Sequence, residues 1–247
     1  MDLSGFRAVF QHLPFLLTGV GWTLELSVIA IIGGSIVGLG VALLRTSPVP
    51  PLRWFGAFYV DFMRTTPLLV QLIWIYYALP ILIGQSLDSI PAGALGLSLF
   101  EGAYLGEIVR AGILSVERGQ TEAAMALGMK PYQVFVRVVM PQAVTRMVPP
   151  LTNQFILTIK DSSLGYVISV PELMYQAGVL GAVTLAPFQA LSVAAVAYLG
   201  MTYPLTVLLN WVSSRNDAVI PGPPRMGWLR LPGWRSDPLP VGPTPTP

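Results

Sequence analysis

From Leu26 to Leu44 the chain runs nineteen residues without a single ionisable group. About 20 apolar residues in a helix cross the roughly 30 Å hydrocarbon core of a bilayer, so this run predicts a membrane span. It is entered through Trp22 and Glu25 and stops at Arg45. A secretory signal would be shorter and would end at a small-residue cleavage site. An uncleaved anchor on a soluble domain does not fit either, because further apolar runs follow. Trp54 to Ile83 is broken by Arg64-Thr65-Thr66-Pro67, and its second half, Leu68 to Ile83, is charge-free. Leu95 to Leu114 is interrupted by Glu101, Glu107 and Arg110, and Met147 to Val170 by Lys160 and Asp161. Pro187 to Val212 carries no charge. Only helices and closed barrels satisfy every backbone group in lipid, and runs of this length point to helices. The fold class is therefore an all-α membrane protein of about five transmembrane helices. Pro67 lacks an amide donor and disfavours helix at Thr66, which predicts a kink or break in the second span.

Composition narrows the function. Only 11% of the residues are charged, less than half the roughly 25% of soluble domains, which argues against a water-soluble enzyme. A formal net charge of +2 is too small to neutralise many phosphates, so nucleic acid is not a partner. With no cysteine and one histidine, His12, neither a thiolate site nor a histidine-built metal cluster is available. No nucleophile–base spacing marks a catalytic group, and His12 reads as an interfacial residue.

The placement of Lys and Arg predicts orientation. Arg45 and Arg53 flank the loop after the first span, and Arg118, Lys130, Arg137 and Arg146 fill the one between the third and fourth. Arg215, Arg225, Arg230 and Arg235 follow the fifth. The N-terminus and the loops of residues 84–94 and 171–186 hold one basic residue together, Arg7. Five spans accommodate this alternation with the N-terminus outside and the C-terminus in the cytoplasm. Residues 1–17 are then an extracytoplasmic segment, 18–212 the membrane domain, and 213–247 a cytoplasmic tail whose prolines from Pro221 onward oppose regular structure.

The inward loop of residues 115–146 is too long for a connector and has a helical pattern of its own. Glu122-Ala123-Ala124-Met125-Ala126-Leu127 is built of strong helix formers, with Gln120 or Thr121 at its start. Gly128 stands where a helix ends or turns. Pro131 suits the first turn of a second helix, which runs from Tyr132 and stops at Pro141. Two short helices joined at Gly128 make a knuckle across the inner mouth, a contact surface for a soluble partner.

With Glu122-Ala123-Ala124, Gly128 four positions later, Val138 and the Met140-Pro141 pair, this loop resembles the EAA signature of binding-protein-dependent ABC importer permeases; Met140 replaces a Leu. Three further stretches resemble the polar amino acid subfamily. They are Arg64 to Gln71, with Thr65 where Gly is usual; Ala103 to Ile113, with Gly106 where Ala is usual; and Ile159 to Leu164. The resemblance covers about residues 18–212 and implies the ABC type I importer transmembrane-domain fold, with residues 115–146 as the coupling-helix loop. It implies a bacterial plasma (inner) membrane location, a separate ATPase subunit that binds ATP and Mg, a second permease chain in a homodimer or heterodimer, and an extracytoplasmic solute-binding protein. No cofactor is expected on this chain, which has no phosphate-binding G-x-x-x-x-G-K-[ST] loop. ATPase contact would fall to Glu122, Ala123, Ala124 and Gly128, with Met125, Leu127 and Met129 as apolar plugs or as packing against the protein's own helices.

Ionisable groups in a bilayer are expensive, about 2.5–3.5 kcal/mol at the centre on translocon scales. Asp61 with Arg64, and Glu107 with Arg110, stand three apart and can pair on one helix face. The amino acid cargo that the resemblance implies is a zwitterion. Glu107, Lys160 and Asp161, with Tyr104 and Ser162, supply both signs of charge for its path, or else lock the gate and fix helix packing. The same carboxylates would also suit a secondary transporter or channel driven by an ion gradient.

Overall fold

A computed structural model describes residues 4–217. Among these residues the regular structure is helical and there is no strand. The elements are α1 (Ser4–Gln11), α2 (Leu13–Thr46), α3 (Pro50–Thr65), α4 (Leu68–Ile83), α5 (Ser89–Leu114), α6 (Arg118–Ala126), α7 (Pro131–Ile168), α8 (Leu173–Thr184) and α9 (Pro187–Asp217). The prolines of the tail from Pro221 onward lie outside the described residues, whereas residues 213–217, expected in the tail, continue α9.

By length and apolarity α2 and the Pro187–Leu209 part of α9 qualify as spans alone. The pair α3 and α4, bent by 102°, and the pair α7 and α8, bent by 49°, qualify together. α5 is 26 residues long, which suffices to cross, but it carries Glu101, Glu107 and Arg110. Among the described residues two to four candidate spans result by this measure, against the five runs expected, and the expected run Leu95 to Leu114 lies within α5.

Local chemistry explains the boundaries. α2 opens with Pro14 in its first turn and ends after Arg45, where Ser47 turns extended before Pro48. The break at Pro67 is present: Thr66 is extended (φ −87°, ψ 130°) and the helix restarts at Leu68. Gly84 closes α4 at φ 70°, and Glu172 caps α8 by accepting from the Met174 and Tyr175 amides, both at 2.7 Å.

Three expectations are corrected. Pro141 does not stop the second loop helix; α7 runs through it to Ile168. The turn over Phe135–Val139 is wound wider, with the Met140 amide bonded to the Phe135 carbonyl five residues back, so the ring is admitted without a break. The segment expected to be a loop, residues 171–186, is mostly helix, α8, whose Leu173, Ala177 and Leu180 are buried with Val9 of α1, Leu16 of α2 and Ala190 of α9. Asp61 and Arg64 do not pair. The ion pairs among the described residues both involve Glu107, and the Arg64 guanidinium lies 5.0 Å from the centroid of the Tyr104 ring.

The bundle is organised around a close crossing of α2 and α5. A Cβ on Gly38 would lie 2.9 Å from the Gly106 amide nitrogen, and one on Gly102 would lie 2.5 Å from Val37 Cγ1. Gly34 and Gly38 thus face Gly102 and Gly106, small residues four apart on both helices that let backbones approach in a membrane. Above the seam, Leu26 and Ala30 pack with Leu72, Leu97 and Ile168. Below it, Val116, Ala124, Val134, Ala143 and Met147 fasten α6 and α7 beneath α5.

Candidate functional site

The knuckle forms as its local sequence dictates. α6 starts at Arg118, two or three residues before the expected Gln120 or Thr121, with Glu117 at its N-cap. Gly128 takes φ +83°, its amide bonds the Met125 carbonyl at 2.9 Å, and the Met129 amide bonds the Ala124 carbonyl at 3.2 Å. The left-handed residue reverses the chain, and Pro131 opens α7 while the Lys130 amide donates to Gln133 Oε1 at 2.9 Å. Ala124 is buried against the bundle and Met129 packs on the same core, whereas Leu127 is 85% exposed and Met125 is 48% exposed. Glu122, Ala123 and Gly128 are also exposed. Of the three apolar residues proposed as plugs, two project outward and Met129 turns in.

A second cluster lies where the ends of α2, α3 and α5 meet. Glu107 accepts from Arg110 Nε at 2.9 and 3.0 Å and from Arg110 Nη2. Arg45 at the end of α2 reaches Glu107 Oε2 at 3.4 Å, and Arg64 covers Tyr104 one turn away. Glu107 and Arg110 therefore pair as their spacing predicted, and Arg45 joins them. Arg146 of α7 donates to the Ser115 carbonyl at the end of α5. Arginines thus gather at the end of the bundle that carries the knuckle.

The other expected path residues lie apart from this cluster. Among the described residues, no hydrogen bond or ion pair joins Glu107 to Lys160, Asp161 or Ser162. Ser162 is fully buried and its hydroxyl donates to the Ile159 carbonyl at 2.8 Å. Asp161 is half-buried, and Lys160 is exposed. Lys160 lines a recess of about 400 Å³ with Ser163, Ala195, Tyr198, Leu199 and Thr202, between α7 and α9.

Three polar residues at the heart of the bundle were not among the site residues expected from the sequence. Glu101 is fully buried on α5, and Gln154 Nε2 of α7 donates to its two oxygens at 3.2 and 3.0 Å. Glu172, also fully buried, accepts from the Tyr198 hydroxyl at 2.7 Å besides capping α8. Gln71, just past the break, donates to the Met63 and Thr66 carbonyls at 2.9 and 3.0 Å. Each is a polar residue in an apolar run, which was the available signal; the partners come from distant helices or from freed backbone.

The comparisons with known proteins agree with this geometry. The model of the family described as binding-protein-dependent transport system inner membrane component matches residues 30–218. The chain belongs to this family. Among its relatives is the probable glutamine ABC transporter permease protein GlnM of Bacillus subtilis (strain 168), 37% identical over 85% of this chain and 96% of that one. The L-cystine transport system permease protein TcyB of the same organism is 45% identical over 68% and 72% of the two chains. The solved structure of an amino acid ABC transporter with histidines superposes at a TM-score of 0.82, with 34% identity over 87% of this chain and 99% of that one. The methionine ABC transporter MetNI, at 21% identity and a TM-score of 0.70, shares the fold. This permease is therefore a transport-system membrane component with the ABC type I importer transmembrane fold, and its apolar helices belong in an inner membrane.

Proposed function

We propose that this permease imports polar amino acids, driven by ATP hydrolysis on a separate subunit that grips the knuckle. The observation that carries this reading is the pairing of an anchored face with a free one. Ala124 and Val134 are buried beneath α5, while Leu127 and Met125 project from the same short segment. A force applied at Leu127 is thereby transmitted into α5 and α7 rather than absorbed by a loose loop. Glu122, Ala123 and Gly128 complete the contact, and ATP with Mg binds the partner ATPase.

The basic residues at the knuckle end, Arg45, Arg118, Lys130, Arg137 and Arg146, support a cytoplasmic position for that end by the positive-inside bias. The N-terminus then lies outside and the tail in the cytoplasm. Residues 84–94 meet the segment that leads into residues 171–186 at the far end, where the Ser89 hydroxyl donates to the Ser169 carbonyl at 3.3 Å; there a solute-binding protein docks. A second permease chain completes the translocation path. In that path Lys160 receives the cargo carboxylate in its recess, with Asp161 and Ser162 shaping the wall behind it. Tyr104 and Glu107 stand at the inner mouth.

Amino acids as the cargo are supported by the relatives, which carry glutamine, cystine, arginine or glutamate/aspartate by name. The test is reconstitution into proteoliposomes with and without the ATPase and the solute-binding protein. Uptake that needs both proteins and ATP, and stops with vanadate, is the expected result. Uptake by the lone chain that collapses with an uncoupler overturns the reading in favour of an ion-driven carrier.

A further inference from the structure

The break between α3 and α4 holds a recess of about 300 Å³ that includes Phe62, Met63, Thr66, Gln71, Trp74 and Leu99 in its lining. That volume is at the small end of ligand pockets, roughly 300–1,000 Å³, and suits one side chain. Leu99 lies near the middle of the 26-residue α5, so the recess sits deep in the bundle rather than at its ends. It opens beside Phe62, Val70 and Trp74, each about half exposed (50–51%).

Gln71 gives the recess its chemistry. It is 7% exposed, and its amide nitrogen is committed to the Met63 and Thr66 carbonyls that the break sets free. Those two acceptors fix which way the amide points, since an oxygen in that place would face two other oxygens. Oε1 is therefore the atom left over, and it is buried with no hydrogen-bond partner. A buried acceptor without a donor costs roughly 1–3 kcal/mol, and the surrounding walls are almost entirely apolar. The chain widens again at Trp74–Ala78, a distortion that recurs at functional sites.

We infer that this recess receives the side chain of the cargo during passage, and that Gln71 Oε1 accepts an N–H from it. This rests on the amino acid import reading and deepens it by naming a class. The cargo side chain ends in an N–H donor, an amide or a guanidinium, on an apolar stem that fits between Phe62 and Trp74. A carboxylate of the same length puts an acceptor against an acceptor and is disfavoured. Sites built to hydrogen-bond a donor reject analogues that lack it far more strongly than apolar pockets reject a missing methylene.

The test uses the permease assembled with its ATPase in lipid nanodiscs without binding protein, so that only the membrane site is read. Tryptophan emission is titrated with L-glutamine, L-arginine and L-glutamate, with Trp74→Phe separating the Trp74 signal from the other tryptophans. The expected result is a saturable Trp74-dependent change with glutamine or arginine at a concentration at least ten-fold lower than with glutamate. Gln71→Met abolishes that preference. If the variant does not fold, the glutamine-to-glutamate ratio on the unaltered protein decides alone. Equal response to glutamine and glutamate overturns the proposal. So does the absence of any Trp74-dependent change, as when water or a lipid tail alone fills the recess. If the same complex, given binding protein and ATP, imports no amino acid, both readings fall; if it imports yet shows no preference, only this one does.

Discussion

The α2–α5 seam and the α6–α7 knuckle both depend on glycine, for opposite reasons. At the seam the backbone is ordinary and space is missing. A Cβ on Gly106 would lie 2.8 Å from Val41 Cγ1 and 2.9 Å from the Gly38 carbonyl. At the knuckle space is open and the backbone is unusual: nothing lies within 4 Å of a Cβ on Gly128, whose φ is +83°. Glycine sets the distance between two helices in one place and the direction of the chain in the other. The seam is therefore a device of assembly and the knuckle a device of presentation, and substitutions separate the two.

The largest effect is expected at the seam. Gly102→Leu drives a side chain into Val37 and the Gly34 carbonyl. Overpacking a well-packed core by extra methylenes costs about 1–3 kcal/mol, and here a whole side chain meets Val37 with the facing backbone close behind. The expected outcome is loss of monodisperse, detergent-extracted protein, measured by size-exclusion chromatography. Gly40→Leu sharpens the comparison, because nothing lies within 4 Å of its Cβ and the yield is expected to be unchanged. Equal yields from both variants would break the seam argument.

Next comes the ionic fastening at the knuckle end of the same seam. Glu107→Gln keeps the shape but strips the charge that holds Arg45 on α2 and Arg110 on α5. Hydrogen bonds to charged groups contribute about 1.5–3 kcal/mol; with these side chains 20–26% exposed, the expected loss is about 1–2 kcal/mol. A lower melting temperature with unchanged substrate preference marks a fastening. An unchanged melting temperature with altered preference leaves Glu107 only the place in the path proposed above and removes the fastening.

Legibility in the sequence followed the range of the interaction. The turn at Gly128, the start at Pro131 and the break at Pro67 are set within a few residues and could be read directly. The knuckle outlasted Pro141 because the wide turn before it relieves the proline, a compensation invisible in residue types. α8 stands where a loop is expected; its cap, Glu172, is buried because the Tyr198 hydroxyl of α9 donates to it, a partner 26 residues away. Gly34, Gly38, Gly102 and Gly106 show their spacing openly, yet which helix meets which is a tertiary fact. Lys160 and Glu107 are not joined by a hydrogen bond or ion pair among the described residues, and their separation along the bundle is a tertiary fact that residue types do not carry.

At the knuckle the effects shrink in stability and persist in coupling. Gly128→Ala places a Cβ in a left-handed residue, at about 1–2 kcal/mol, confined to the α6–α7 turn. Assembly is expected to match the unaltered protein while ATP-driven uptake falls several-fold. Gly128→Asn, which tolerates this conformation better, recovers part of it. A loss of monodisperse protein like that of Gly102→Leu would show that the knuckle also holds the bundle together.

The smallest change in stability and the cleanest separation belong to Leu127. Its side chain is 85% exposed, so Leu127→Ser removes almost no buried contact, and surface substitutions of this kind stay within about 0.5 kcal/mol. In the proposed coupling this apolar side chain, held out on an anchored turn, is what the ATPase covers. Melting temperature and oligomeric state are therefore expected to be unchanged, while the ATPase no longer co-purifies and its stimulation by the permease is lost. Ala124→Leu runs the opposite experiment. It acts on the buried face of the same helix, and is expected to lower the melting temperature first and coupling only as a consequence. If Leu127→Ser keeps full ATPase association and uptake, the exposed face of the knuckle is not the contact, and the division between an anchored face and a free one loses its functional meaning.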